Sequence, residues 1–316
     1  MQVTRVTLAA ALFLAACSKP KSDEPPVASA PAPQHSAAAP VVKLDGTSIR
    51  GTRCRVGNLS QKTQRSLHAD ASGTLYVFDD SDAVHRVASS DGAGPCGLAA
   101  AVDIPRAEAR FAFAADGSVG KVRAPDAPSP ECKSLSFEPF GFVGAVAGGV
   151  AFRTDGNRAI VAEDLNAKVC TPKPFGTPAP SGNLFSVAAN ETHVLVLDFH
   201  GSGQDDNVVW RYDRAGKLVD KVGLGAEGKS VIRWPDLVAT CGPGVCVQSS
   251  KELAVFDAAG KLLGRHDVEG EGFVLGYGTV NGLVEVGKPA LYLLATFGKG
   301  TVKETDLIRL DGVYAK

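Results

Sequence analysis

The feature that most constrains this chain is a short apolar hairpin pattern that returns about every 40 residues. A repeat of this size means that each unit buries its surface against its neighbours, so it has to be settled before any local motif. Six segments share the form apolar run, Asp/Asn/Gly turn, apolar run: Ser66–Phe78, Phe111–Val122, Val150–Ala162, Phe185–Leu197, Leu237–Val247 and Leu283–Leu294. Strand-forming residues on either side of Gly, Asn, Asp and Pro are the signal of a β-hairpin. A second repeat is sharper. Tyr212-Asp213-Arg214-Ala215-Gly216-Lys217-Leu218-Val219 returns 44 residues later as Phe256-Asp257-Ala258-Ala259-Gly260-Lys261-Leu262-Leu263, with a decayed copy at Ile308–Gly312. In this turn Asp bonds back to its own backbone and Gly accepts a positive φ. Each unit thus holds two hairpins, or four strands.

Four-stranded antiparallel units in series read as the blades of a β-propeller. The expected fold is all-β, a six-bladed propeller over residues 43–316, with a β-sandwich and a seven-bladed ring as the alternatives. The last unit runs out of chain after its third strand, so Thr47–Gly57 is expected to supply its outer strand and close the ring, because an open edge invites aggregation. The aromatic–Asp–x–x–Gly–Lys–Leu turn resembles those of six-bladed propellers of the NHL and TolB-like kind, over about residues 47–314. That resemblance implies an architecture and leaves the activity open.

The N-terminus carries an address. Arg5 is followed by the apolar run Leu8–Ala16, too short for an ordinary membrane-spanning helix and built like a secretory signal. Leu14-Ala15-Ala16-Cys17 resembles the bacterial lipobox. The resemblance implies cleavage after residue 16, acylation of Cys17, and, with Ser18 next, sorting to the outer membrane. A plain signal peptide with a coincidental Cys17 is the alternative. Residues 17–42 then form a Pro-, Ala- and Ser-rich tether that cannot bury enough surface to fold.

Six cysteines remain after Cys17, an even number suited to an oxidising compartment. Cys241 and Cys246 straddle one hairpin turn and are expected to pair. Cys54, Cys96, Cys132 and Cys170 allow three connectivities, of which Cys54–Cys96 with Cys132–Cys170 joins neighbours.

The net charge of −1 excludes a broad nucleic-acid surface. Residues 223–230, GLGAEGKS, satisfy a phosphate-loop pattern, but Trp234-Pro235 follows where a helix has to begin, so a glycine-rich connection between blades is expected and no nucleotide. There is no G-x-S-x-G elbow and no H-E-x-x-H helix. Loops joining second and third strands are expected to bring Asp79, Asp80, Asp82, Glu163, Asp164, Asp205 and Asp206 to one face. That set would take Ca2+ if it takes any ion, while a solvated acidic rim without a cofactor is the plainer reading. Trp210 and Trp234 are candidates for stacking on a sugar, with burial between blades the expected use of each. The leading functional expectation is a lipid-anchored envelope protein that binds a protein or glycan without catalysis. A metal-dependent lactonase or oxidoreductase and a transporter's substrate-binding component are the competing classes.

Overall fold

The computed structural model describes residues 49–313 apart from 57–58, 60–63, 80–82, 91–93, 115–143, 156–158, 168–170, 201–206, 227–228, 233, 250–251, 271–272, 275–277, 287–289, 300–301 and 312. The expected signal segment and tether and Cys17 lie outside the described residues, as do Asp80, Asp82, Asp205, Asp206, Cys132 and Cys170.

The chain starts with β1 (Ile49–Cys54). Blade I is β2 (Gln64–Ala69), β3 (Leu75–Asp79), β4 (Val84–Val87) and β5 (Val102–Ile104), followed by helix α1 (Arg106–Ala114). Blade II is β6 (Ala145–Ala147), β7 (Val150–Asp155), β8 (Ala159–Asp164) and β9 (Lys173–Phe175). Blade III is β10 (Asn183–Ala189), β11 (His193–Phe199), β12 (Val208–Asp213) and β13 (Leu218–Gly223). A small hairpin, β14 (Gly225–Ala226) and β15 (Lys229–Ser230), leads into blade IV: β16 (Pro235–Cys241), β17 (Gly244–Ser249), β18 (Glu252–Phe256) and β19 (Leu262–Gly270). After β20 (Phe273–Val274), which pairs with β19, come β21 (Gly278–Val286), β22 (Ala290–Lys299) and β23 (Val302–Asp311) of blade V. Strand β1 lies antiparallel on β23, with Gly51 opposite Leu310 and Cys54 opposite Leu307, and is the outermost strand of that blade. Its first residues also meet β19 in parallel, so the outer edges of blades IV and V are joined.

The expectation of six blades is corrected to five among the described residues. The inner strands form a circle: β2 neighbours β6 and β21, β10 neighbours β6 and β16, and β16 neighbours β21. The missing unit is the expected hairpin Phe111–Val122. Its first residues end helix α1, and the rest lies outside the described residues. Alternation in FAFA imitated a strand, but Ala109, Ala112 and Phe113 have helical spacing and bury one face against Tyr76 and Phe78 of blade I. Pro105 starts the helix, where a missing N–H costs nothing, and its carbonyl accepts the first bond from Glu108 (2.9 Å).

Middle strands are buried on both faces because blades stack face to face. All five residues of β3 and all six of β17 are buried. Such strands read as continuous apolar runs instead of alternating ones. The 44-residue repeat folds twice into the same turn. Asp213 Oδ1 accepts from the N–H groups of Ala215 (3.0 Å) and Lys217 (2.9 Å), and Asp257 Oδ1 from those of Ala259 and Lys261 (both 2.9 Å). Gly216 (φ +85°) and Gly260 (φ +76°) occupy the left-handed position that only glycine takes without strain. Arg211 extends from this unit to Asp220 on its own blade and to the Ala258 carbonyl (2.8 Å) in the turn of the next.

One regularity left no sequence trace. The first strand of blades I, III, IV and V bulges at the same place, at Ser66, Ser186, Leu237 and Gly282. A bulge bends the strand and re-aims its end. At Ser186 the hydroxyl also accepts the Val238 N–H (3.1 Å), which links blade III to blade IV.

Two disulfides are present among the described residues, Cys241–Cys246 and Cys54–Cys96. The first staples the β16–β17 hairpin. The second ties β1 to the tight turn Pro95–Gly97 of blade I.

Candidate functional site

The first strands of all five blades surround the axis. Leu67, His68, Val146, Ala188, Ala239 and Val284 line a narrow cavity of about 80 Å3 there. At the end carrying the first turn of each blade the channel opens into a bowl of about 500 Å3. Its wall includes Asp70, Phe113, Gly148, Asn190, Glu191 and Glu285.

The polar groups of this mouth are held by the turns that present them. Asp70 Oδ1 accepts from the N–H groups of Ser72 (2.9 Å) and Thr74 (3.0 Å), and its Oδ2 from the Tyr76 hydroxyl (3.1 Å). Burial, then the Asp70 charge, pushes the Tyr76 phenol up, so it stays a donor. Asn190 Oδ1 accepts from the N–H groups of Thr192 and His193 (both 2.9 Å). Glu285 Oε1 accepts the Gly242 N–H (2.7 Å), so blade V touches the stapled turn of blade IV. Arg214 donates to the Ala147 carbonyl (2.7 Å) and faces Glu191; burial lowers its pKa and Glu191 opposes that shift. The result is a ring of oriented acceptor oxygens around an open bowl. It suits ammonium, guanidinium or hydroxyl donors.

His68 is the titratable group inside the channel. It is buried, with Nε2 3.1 Å from Ser66 Oγ and its ring edge-on to Phe78 at 5.4 Å. Burial pushes its pKa down to about 4. The unfolded chain therefore binds a proton near pH 6.5 that the folded chain refuses until about pH 4. This contribution to stability is complete above pH 6.5 and is lost as pH falls through that window. It amounts to about 3 kcal/mol at most. Denaturant melts between pH 7 and pH 4 are expected to weaken accordingly, and His68→Gln should flatten that part of the profile. An unchanged slope in the variant would contradict the assignment.

Of the acidic residues named from the sequence, the three that lie among the described residues, Asp79, Glu163 and Asp164, are not on one face. Asp79 ends β3 and is paired in register with Gln64, at the far end of blade I from the Asp70 turn. It is 1% exposed, and its Oδ1 accepts the Ala83 N–H (3.0 Å). Glu163 and Asp164 lie opposite Ala151 and Val150, beside the Gly148–Gly149 turn, at the other end of the blades. Strands β7 and β8 are the second and third of their blade; reading them as a first hairpin displaced both residues by one strand. Glu163 is buried against Arg153 at 3.7 Å, and Asp164 bonds the Asn166 N–H (2.8 Å) within its own turn. Among the described residues no three His, Cys, Asp or Glu side chains converge as a metal site.

At the loop end of blade III, Asp198 is fully buried. Its Oδ2 accepts from Trp210 Nε1 (2.9 Å) and the Ser181 N–H (3.3 Å), and its Oδ1 lies 3.4 Å from His200 Nε2. A Cβ at Gly182 would stand 2.2 Å from that oxygen, so the pair depends on glycine there. Within 223–230, Gly223 ends β13, and Gly225–Ala226 pairs with Lys229–Ser230 as β14 and β15; β16 starts at Pro235.

No family model matches the chain, and no curated protein matches it. Solved propellers resemble it at low identity. Myxococcus xanthus glutaminyl cyclase is 10% identical with a TM-score of 0.42, covering 85% of this chain and 100% of that one. The PQQ-bound aldose sugar dehydrogenase of Streptomyces coelicolor is 13% identical with a TM-score of 0.41, over 86% and 98% of the two chains. A gluconolactonase from Xanthomonas campestris is 14% identical with a TM-score of 0.41, over 86% and 97%. Those proteins differ in activity, and likeness at this level carries no activity to this chain.

His68, Asn190, Glu191 and Glu285 escaped the sequence reading because they come from three blades far apart in the chain: His68 from blade I, Asn190 and Glu191 from one turn of blade III, and Glu285 from blade V. The only trace of their convergence is that three of them sit at or beside a first-hairpin turn. Of the two tryptophans, Trp210 is buried as expected, whereas Trp234 is 57% exposed.

Proposed function

We propose that this protein is a lipid-anchored bacterial envelope protein whose propeller binds a protein or glycan without catalysing a reaction, and that the channel mouth is the binding surface. The mouth carries this reading: Asp70 and Asn190 are fixed by their own turns and Glu285 by the turn of the neighbouring blade before any ligand arrives. Preorganised donors and acceptors favour recognition because little ordering remains to be done on binding. The lipobox-like segment, the tether and two closed disulfides support an envelope location, because disulfides form and persist in oxidising compartments. Acylation of Cys17 would fix it in the outer membrane. The seating of β1 on β23 supports its reading as the strand that closes the ring.

The test places a photocrosslinking residue at Asn190, and a control at Val219 on the exposed outer edge of blade III, in the full chain in intact cells of its host. Adducts to a protein or glycan from position 190 and not from 219 are expected. No adduct from 190 would remove the mouth as the binding surface. A metabolic fatty-acid label should enter the wild-type protein and not Cys17→Ala; label retained in the variant would remove the anchor.

One observation favours the enzyme reading, a divalent-metal lactonase or oxidoreductase: the buried Asp198 beside His200 on the loop end. Metal analysis of protein purified without chelator, with melts in the presence and absence of EDTA, decides it. Stoichiometric Ca2+ or another divalent ion with an EDTA-sensitive melt would replace the binding reading.

A further inference from the structure

We propose that Trp234 is a stacking platform for a single hexopyranose ring of an envelope glycan, on the opposite end of the blades from the mouth. The inference rests on the reading of the protein as an envelope binding module and adds to it a second surface with a stated ligand chemistry.

Trp234 lies in the connection from blade III to blade IV. Its ring stacks on Phe199 at 5.9 Å with 25° between planes, and Phe199 stacks on Phe185 at 4.6 Å and 17°. One face of the indole is therefore taken by an aromatic column rooted in the blade interface. The residue is nonetheless more than half exposed, so the column leaves much of the ring open. Burial alone does not put it there. Ile232 and Pro235 on either side are buried, and the chain turns Trp234 outward through a φ of +53°. For a bulky residue before proline this conformation is a genuine outlier, and such strain persists at sites where the surroundings enforce it.

The surroundings select the ligand. A protein partner needs a broad patch with other apolar residues near the anchor. Among the described residues the other large exposed apolar side chains are Val102, Val219 and Leu262, all at the turn ends of outer strands, away from the loop end where Phe199 and Trp234 meet. An exposed aromatic face about one ring wide, backed by a stacked column, matches the C–H face of a pyranose. The weakly positive C–H groups lie on the negative π face, and the sugar hydroxyls stay in water at the rim.

The full-length protein in detergent is titrated, by calorimetry and by tryptophan emission, with three probes: soluble muropeptides from peptidoglycan, core oligosaccharide from lipopolysaccharide, and maltohexaose. At least one is expected to bind and to shift the emission. Response to muropeptides alone places the source in the cell wall, and response to the core alone places it in the outer leaflet. Trp234→Ala should weaken binding about tenfold or more. Trp234→Phe should keep most of the affinity while its emission, now from the buried Trp210 alone, no longer responds. Unchanged thermal melts establish that both variants fold. Binding of none of the probes by wild type, or equal binding by Trp234→Ala, overturns the proposal. So does loss of a protein adduct in Trp234→Ala without any response to sugar. Adducts at Asn190 report on the mouth independently, so either surface can fail alone.

Discussion

Replacing Cys54 and Cys96 together by alanine should lower stability by about 4 kcal/mol, against about 2 kcal/mol for the same change at Cys241 and Cys246. The ratio follows from the chain enclosed. The first bridge spans 42 residues and the second 5, and the unfolded chain gains more freedom when the longer loop is released. Position sharpens the contrast. Cys241–Cys246 staples a hairpin that already has an unbroken ladder from Leu237 to Cys241. Cys54–Cys96 joins the outermost strand of the last blade to the first blade. Without it, β1 is held by its ladder on β23 and by Arg53, whose guanidinium pairs with Asp306 and with Glu304 at 2.8 Å and lies 5.0 Å above the Phe297 ring. The seam between the last and first blades should then open first. Urea unfolding under non-reducing conditions measures the two losses, and hydrogen exchange at β1 locates the first. Equal losses from the two double variants would mean that the long bridge constrains nothing the ladder does not.

Local chemistry was legible in the sequence and assembly was not. The Asp-x-Ala-Gly turns could be read because Asp and Gly have few other uses four residues from a strand. The Cys241–Cys246 bridge could be read because one turn forces the two strands together. Blade II was misread because first, second and third strands are all apolar once both faces are buried, so Val150–Asp155 carries no mark of being second. That single slip sent Glu163 and Asp164 to the wrong end. Helix α1 was missed for a related reason: in RAEARFAFA, alanine serves strand and helix patterns alike, and the deciding contact, Phe113 against Tyr76 at 4.8 Å, is with another element. The mouth has no local signature at all. Asp70, Asn190 and Glu285 look like ordinary turn residues, and only the ring brings them together.

Phe152→Ala should be the most damaging single truncation on the mouth side of blade II, at about 3–5 kcal/mol, while Phe152→Leu should cost less than about 1.5 kcal/mol. Phe152 is 1% exposed, its ring 4.9 Å from that of Phe175. The Arg214 guanidinium rests 4.6 Å above it. Alanine would leave a cavity that strands on both sides cannot close, and it would take away the face on which Arg214 lies. Arg214 in turn reaches the Ala147 carbonyl and stands near Glu191, close enough that a Cβ at Gly148 would meet both, at 3.3 and 3.5 Å. Packing in the blade and presentation of the mouth are thus one structure. The alanine variant is expected to lose stability and, while still folded, to lose adducts at position 190. The leucine variant refills the cavity without restoring a π face, so it should recover stability more fully than crosslinking. Recovery of both to the same extent would mean that Arg214 is positioned by its backbone contact alone.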